Sequence, residues 1–161
     1  MNRMLVLVLA ALALGGCVAV SATDNAAGVP PREMRIAFDV TDTATAPLIG
    51  KLETIETTRK QLVEAGYTPR IVVAFRGNAS FFTQTDMSLV KEADRADALK
   101  IQGMIRRFRQ EHVIESAEQC NLPLAQRKIQ AKNLMPEVTL VPNGWIALAE
   151  YQRKGYAYIA P

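Results

Sequence analysis

From Met34 onward, apolar and polar positions alternate between strand-like and helix-like periods. Met34–Val40 (MRIAFDV) reads as a strand that Thr41 and Asp42 end. Pro47 suits the first turn of a helix, where its missing N–H costs nothing. Leu48, Leu52, Ile55 and Leu62 then share one helical face, and Gly66 followed by Pro69 marks the stop. Ile71–Phe75 (IVVAF) is an unbroken apolar run, the pattern of a strand covered on both faces. Arg76-Gly77-Asn78 turns the chain. The stretch 79–92 has no clear period, and Phe81, Phe82, Met87 and Leu89 are its expected core residues. A helix is predicted from about Ala93 to His112, with Ile101, Met104, Ile105 and Phe108 as its stripe.

The alternation continues to the end of the chain. Val113–Glu118 reads as the third strand, with Cys120 just beyond it. Leu122–Gln130 is a short helix with Pro123 in its first turn, and Val138–Val141 is the fourth strand. Asn143 is a good N-cap for a helix reaching Lys154, with Trp145, Leu148 and Ala149 turned inward and Gly155 as its stop. Tyr156–Ile159 is a final short strand. Strands alternating with helices predict an α/β fold, a three-layer α/β/α sandwich around a mainly parallel sheet of about five strands.

The first residues follow a different pattern. Arg3 precedes an uncharged apolar run, Met4–Leu14, with the length of a secretion signal rather than a bilayer span. Leu14-Gly15-Gly16-Cys17 closes it in the manner of a bacterial lipobox, with Cys17 as the acylated residue. The expectation is therefore a signal peptide over residues 1–17 and an exported protein held on the periplasmic face of a bacterial membrane. Val18, with no Asp after the cysteine, favours the outer membrane. Residues 18–32 are small, polar and proline-bearing and read as a tether reaching on the order of 20 Å. The domain proper is then 33–161.

Composition narrows the chemistry. The 161 residues carry 19 basic and 16 acidic side chains, a formal charge of +3, which is too small for a nucleic-acid footprint. Arg106, Arg107 and Arg109 cluster near a helix C-terminus, where the dipole favours cations, and His112 is read in the same way. Two cysteines and one histidine support neither a disulfide framework nor a metal site. No G-x-G-x-x-G, G-x-x-x-x-G-K, G-x-S-x-G or C-x-x-C motif occurs, so no cofactor is expected.

In parallel sheets ligands bind at the carboxyl ends of strands. Those ends supply Thr41 and Asp42, then Arg76, Gly77 and Asn78, then Cys120 and Asn121, then Pro142, Asn143 and Gly144. Cys120 is the one thiol beyond the lipobox. A helix start and Arg76 beside it would favour its thiolate. A free cysteine also serves as a packing residue, and this second reading stays open. Asp42, Asn78 and Asn121 are equally caps or turn residues.

The run Arg70–Asn78 (RIVVAFRGN) resembles the second strand and loop of the DsrE/DsrF-like family. The stretch from Cys120 through Leu134–Val138 to Val141–Gly144 is similar too, as is the ending Tyr151–Tyr158 (YQRKGYAY). The resemblance covers Met34–Pro161. It implies a Rossmann-like domain assembling into homo-oligomers, often trimers or hexamers. It also implies that Cys120 carries a persulfide without metal or organic cofactor, with Arg76, Asn78 and Asn121 as stabilisers of its anion. The functional expectation is a sulfur carrier or sulfurtransferase-like protein of the cell envelope. The alternative is a non-enzymatic ligand-binding or partner-recruiting module in which Cys120 is structural.

Overall fold

The computed structural model describes residues 32–161. The expected signal peptide, the lipidation of Cys17 and the tether up to residue 31 lie outside the described residues. Arg32, at the end of the expected tether, already opens the first strand, β1 (Arg32–Val40). The chain continues through α1 (Thr45–Glu64), β2 (Tyr67–Phe75), α2 (Arg95–Gln110), β3 (Ser116–Cys120), α3 (Asn121–Gln126), β4 (Thr139–Val141), α4 (Gly144–Arg153) and β5 (Ala157–Ile159). A 3₁₀ segment, Gly77–Thr83, follows β2. Among the described residues no helix is long and apolar enough to cross a membrane.

The five strands run in the order β4-β3-β2-β1-β5 and every pairing is parallel. The expected three-layer α/β sandwich is therefore what forms. Strand alternation divides the side chains between two faces. Ile36, Phe38 and Val40 of β1, with Ile71, Val73 and Phe75 of β2, meet Leu48, Leu52 and Ile55 of α1 and Ile101, Ile105 and Phe108 of α2 in the main core. Each such side chain contributes about 1.5–3 kcal/mol by leaving water. The opposite apolar cluster is much smaller: Ala37, Ala74 and Leu148, flanked by Tyr151 and Tyr156, lie beneath α4, the one helix on that face among the described residues.

Several elements depart from expectation. β2 begins at Tyr67, so Pro69 lies inside a strand. It is tolerated because β2 there runs past β3, whose pairing starts at Val72. The third strand is shifted towards the C-terminus, because the N–H groups of Val113 and Ile114 are drawn back to the carbonyl of Phe108 at the end of α2. Cys120 is consequently the last residue of β3 rather than a loop residue. Leu89 is 48% exposed, and Val90 takes its place in the core. Trp145 and Ala149 face outward, and Leu148 alone of the expected trio is buried. The basic cluster is surface chemistry: Arg106 pairs with Glu137, Arg107 with Glu56 and Glu111, and Arg109 donates to the carbonyls of Ile114 and Glu115.

Candidate functional site

The β3–α3 and β4–α4 connections leave the sheet in opposite directions. α3 packs against the 3₁₀ segment, which in turn packs on α2, whereas α4 crosses the opposite face to reach β5. The carboxyl ends of β3 and β4 thus flank a topological switch point, the place where open parallel sheets bind ligands. Cys120 stands at this point.

The loop beside it is held by a polar network inside the core. Gln119 is fully buried. Its amide donates to Ser80 Oγ at 2.8 Å and accepts from Thr83 Oγ1 at 2.7 Å. Ser80 Oγ in turn donates to the Gly77 carbonyl at 2.8 Å. Gly77 has φ +54°, a left-handed turn that suits glycine. The network therefore ties the turn after β2 to the end of β3.

Cys120 is 4% exposed, and its Sγ accepts the backbone N–H of Gly144 at 3.1 Å. This donor is one of the free N–H groups of the first turn of α4. The approach requires glycine. A Cβ at position 144 would lie 2.7 Å from Arg76 Cδ and 3.0 Å from Cys120 Cβ. Asn143 fixes the helix start as expected, accepting the Trp145 N–H on its Oδ1 at 2.9 Å.

Arg76 borders a cavity beside Cys120 but is paired with a carboxylate. Its Nε and Nη2 donate to the two oxygens of Asp39 at 2.7 and 2.5 Å. Asp39 is buried, and it also accepts the Tyr158 hydroxyl at 2.7 Å. The hydrogen bond to Asp39 raises the Arg76 pKa above its ordinary value, and the Tyr158 hydroxyl is raised by the same carboxylate. The Arg76 guanidinium lies 5.3 Å from the ring centroid of Trp145, which is 66% exposed. Deeper on the same face, the Tyr151 hydroxyl donates to Glu118 at 2.5 Å. Burial and that carboxylate push the Tyr151 pKa up.

These groups border a cavity of about 250 Å³, lined by Arg76, Gly77, Cys120, Asn143 and Trp145 on one side and by the α3 region (Leu122, Pro123, Gln126, Arg127) on the other. Four of the sequence-derived residues, Cys120, Arg76, Gly77 and Asn143, therefore meet at one cavity, with Gly144 behind the sulfur. Asn78 acts indirectly: its Oδ1 accepts from Arg127 Nε and Nη2 at 2.8 and 2.6 Å. Two expectations are corrected. Asn121 is exposed at the first position of α3 and is not among the cavity residues. Asp42 neither caps α1 nor reaches the cavity, because Lys51 draws it into an ion pair at 2.9 Å.

Sequence reasoning missed Asp39, Tyr158, Arg127 and the outward role of Trp145. Asp39 did leave a signal, a lone carboxylate within the apolar run of MRIAFDV. Such a residue needs a buried partner. Nothing in the sequence singles out Arg127 among the 19 basic residues.

No protein-family model matches the chain. An uncharacterized protein of Aquifex aeolicus (strain VF5) is 28% identical over 109 residues, 68% of this chain and 48% of that protein. The chain thus matches about half the length of that relative. Among solved structures, the protein of unknown function MTH1491 from Methanobacterium thermoautotrophicum is similar with a TM-score of 0.50 and 17% identity, over 81% of this chain and 99% of that one. This likeness concerns the fold alone.

Proposed function

We propose that this protein is a DsrE/DsrF-like sulfur carrier of the cell envelope, acting through Cys120. The observation that carries the reading is a cysteine sulfur on a ligand-sized cavity with a backbone N–H directed at it. An N–H donor at a helix start is the environment in which a thiolate or a persulfide anion is held. In the proposed step, the Cys120 thiolate attacks the outer sulfur of a donor persulfide, R–S–SH. A bond forms between Sγ and that sulfur, the donor S–S bond breaks, and R–S⁻ leaves. Cys120 then carries –S–SH, and the transfer needs no external oxidant.

The lipobox-like Leu14-Gly15-Gly16-Cys17 supports an envelope location with a lipid anchor on Cys17. Assembly into a trimer or hexamer is part of the same proposal. Ile146, Tyr158 and Ile159, exposed along α4 and β5, supply apolar surface for it. A second reading, ligand binding without sulfur transfer, is favoured by the 4% exposure of Cys120.

The test is intact mass spectrometry after incubation with polysulfide, beside a Cys120→Ser control. Mass gains of one or more sulfur atoms on wild type alone are expected. No gain, with Cys120 also resistant to alkylation until the protein is unfolded, would sink the carrier reading and leave the binding one.

A further inference from the structure

The charges around the cavity are unequal, and the inequality bears on what enters it. Two cations and no carboxylate line it. Asp39 neutralises Arg76 through two hydrogen bonds. Arg127 has a different partner: both of its short hydrogen bonds go to the neutral amide oxygen of Asn78. No carboxylate reaches Arg127 among the described residues, and its other contacts are the Pro123 carbonyl and the Phe81 ring. An amide that takes Nε and Nη2 fixes the guanidinium plane without cancelling its charge. The charge that remains is therefore oriented and unneutralised. Apolar surface is also offered to the cavity, by Leu122 and Pro123 beside Arg127 and by Trp145 across from it, with Leu122 48% and Trp145 66% exposed; Gln126 and Asn143 are its neutral polar groups.

We infer that the cavity selects a low-molecular-weight organic thiol or persulfide bearing a carboxylate. Arg127 binds the acid group, and Leu122, Pro123 and Trp145 cover the carbon skeleton. Asn78 is a positioning residue acting through Arg127. The inference rests on Cys120 being the reacting sulfur and adds the class of molecule that meets it. A cavity of about 250 Å³ takes an organic molecule of several heavy atoms. A sulfur atom carried on such a molecule reaches Cys120 by the exchange written above, with R now an anionic group.

The experiment measures rates of thiol–disulfide exchange at Cys120 in the folded protein near neutral pH. Three disulfides of similar size serve as probes: dithiodipropionate (anionic), hydroxyethyl disulfide (neutral) and cystamine (cationic). Each rate is divided by that of the same probe with mercaptoethanol, which removes its intrinsic reactivity. Wild type is expected to prefer the anionic over the neutral probe by about five-fold, the effect of one unit charge at a partly hydrated site, and over the cationic probe by more. The preference should shrink as salt is added.

Arg127→Gln is expected to abolish the preference, and Asn78→Ala to reduce it while the charge remains. Should Arg127→Gln fail to fold, the salt dependence of wild type and the Asn78→Ala ratio still decide. A normalised ratio near one in wild type, or one that Arg127→Gln leaves unchanged, overturns the inference while the carrier reading stands. Failure of all three probes to react, with Cys120 reacting once the protein is unfolded, defeats the carrier reading itself. Reaction with protein-borne persulfides alone would point to a macromolecular donor and also overturns the inference.

Discussion

Replacing Asp39 by Asn keeps the size of the side chain and removes its charge. In the native protein Oδ1 and Oδ2 accept from Arg76, and Oδ2 also accepts from Tyr158. In the variant one acceptor becomes an NH₂ donor facing N–H or O–H groups that also donate. The Arg76 side chain is 17% exposed and loses its counter-charge. Removing one member of a buried pair costs about 3–5 kcal/mol, and because Arg76 borders a cavity we expect about 3 kcal/mol. For a domain of this size that lowers Tm by about 12 °C. Thermal melting followed by circular dichroism measures it. The double variant with Arg76→Gln should fall short of the summed single effects by at least about 1 kcal/mol, since each single variant strands the other group. The freed guanidinium adds positive charge beside Cys120, so exchange with the anionic disulfide should accelerate even as the protein becomes less stable. A Tm loss under about 3 °C, or strictly additive variants, would refute the reasoning that Asp39 and Arg76 act as one buried unit.

Other outcomes follow from single contacts. Gly144→Ala places a methyl group against Arg76, which Asp39 prevents from retreating. A cost of about 1–3 kcal/mol in urea unfolding and a changed rate of Cys120 alkylation are expected; wild-type values for both would contradict the close approach. Gln119→Leu strips Ser80 and Thr83 of a shared partner. It should cost about 2 kcal/mol and raise hydrogen exchange across Gly77–Thr83; unchanged exchange would mean that the network does not hold the turn. Hydrogen bonds from Arg107, with a smaller contribution from Lys60, hold the Glu56 carboxyl at about 2 against an ordinary 4.5. A lowered folded-state value means stability that is present above about 4.5 and lost as the pH falls towards about 2. Glu56→Gln should therefore melt below wild type at neutral pH and converge with it near pH 2; parallel curves would show that the pair contributes nothing.

The layered fold was legible because its signals are local and repeated. The stripe Ile101, Met104, Ile105 and Phe108 is buried as its spacing predicts, and Gly66 and Gly155 stop their helices with φ of +79° and +83°. β3 was misplaced for a physical reason. Its residues SAEQC bury a glutamine and a glutamate in polar networks, so they lack the apolar signature of a covered strand. Trp145 reads as core on helical spacing alone, yet Ala37 and Ala74 leave only a thin apolar layer under α4 and its first turn lies beyond it. Cys120, Arg76, Gly77 and Asn143 could be gathered from strand ends because parallel topology brings those ends together. Asp39 and Tyr158 could not, since one precedes its strand end and the other belongs to the last strand.

The hydrogen bond between Tyr158 and Asp39 joins residues 119 positions apart in the chain. β1, β2, β3 and β4 pair with their sequence neighbours, but β5 docks beside β1 after α4 has crossed the sheet. Contacts of such long sequence separation form late, because closing the loop precedes any gain from it. The Gly144 donor and the Tyr158 contact to Asp39 both come from the segment that follows β4. Without that segment Cys120 would lack the Gly144 N–H that its sulfur accepts. β5 in this sense ties the site at the strand ends to the integrity of the whole sheet.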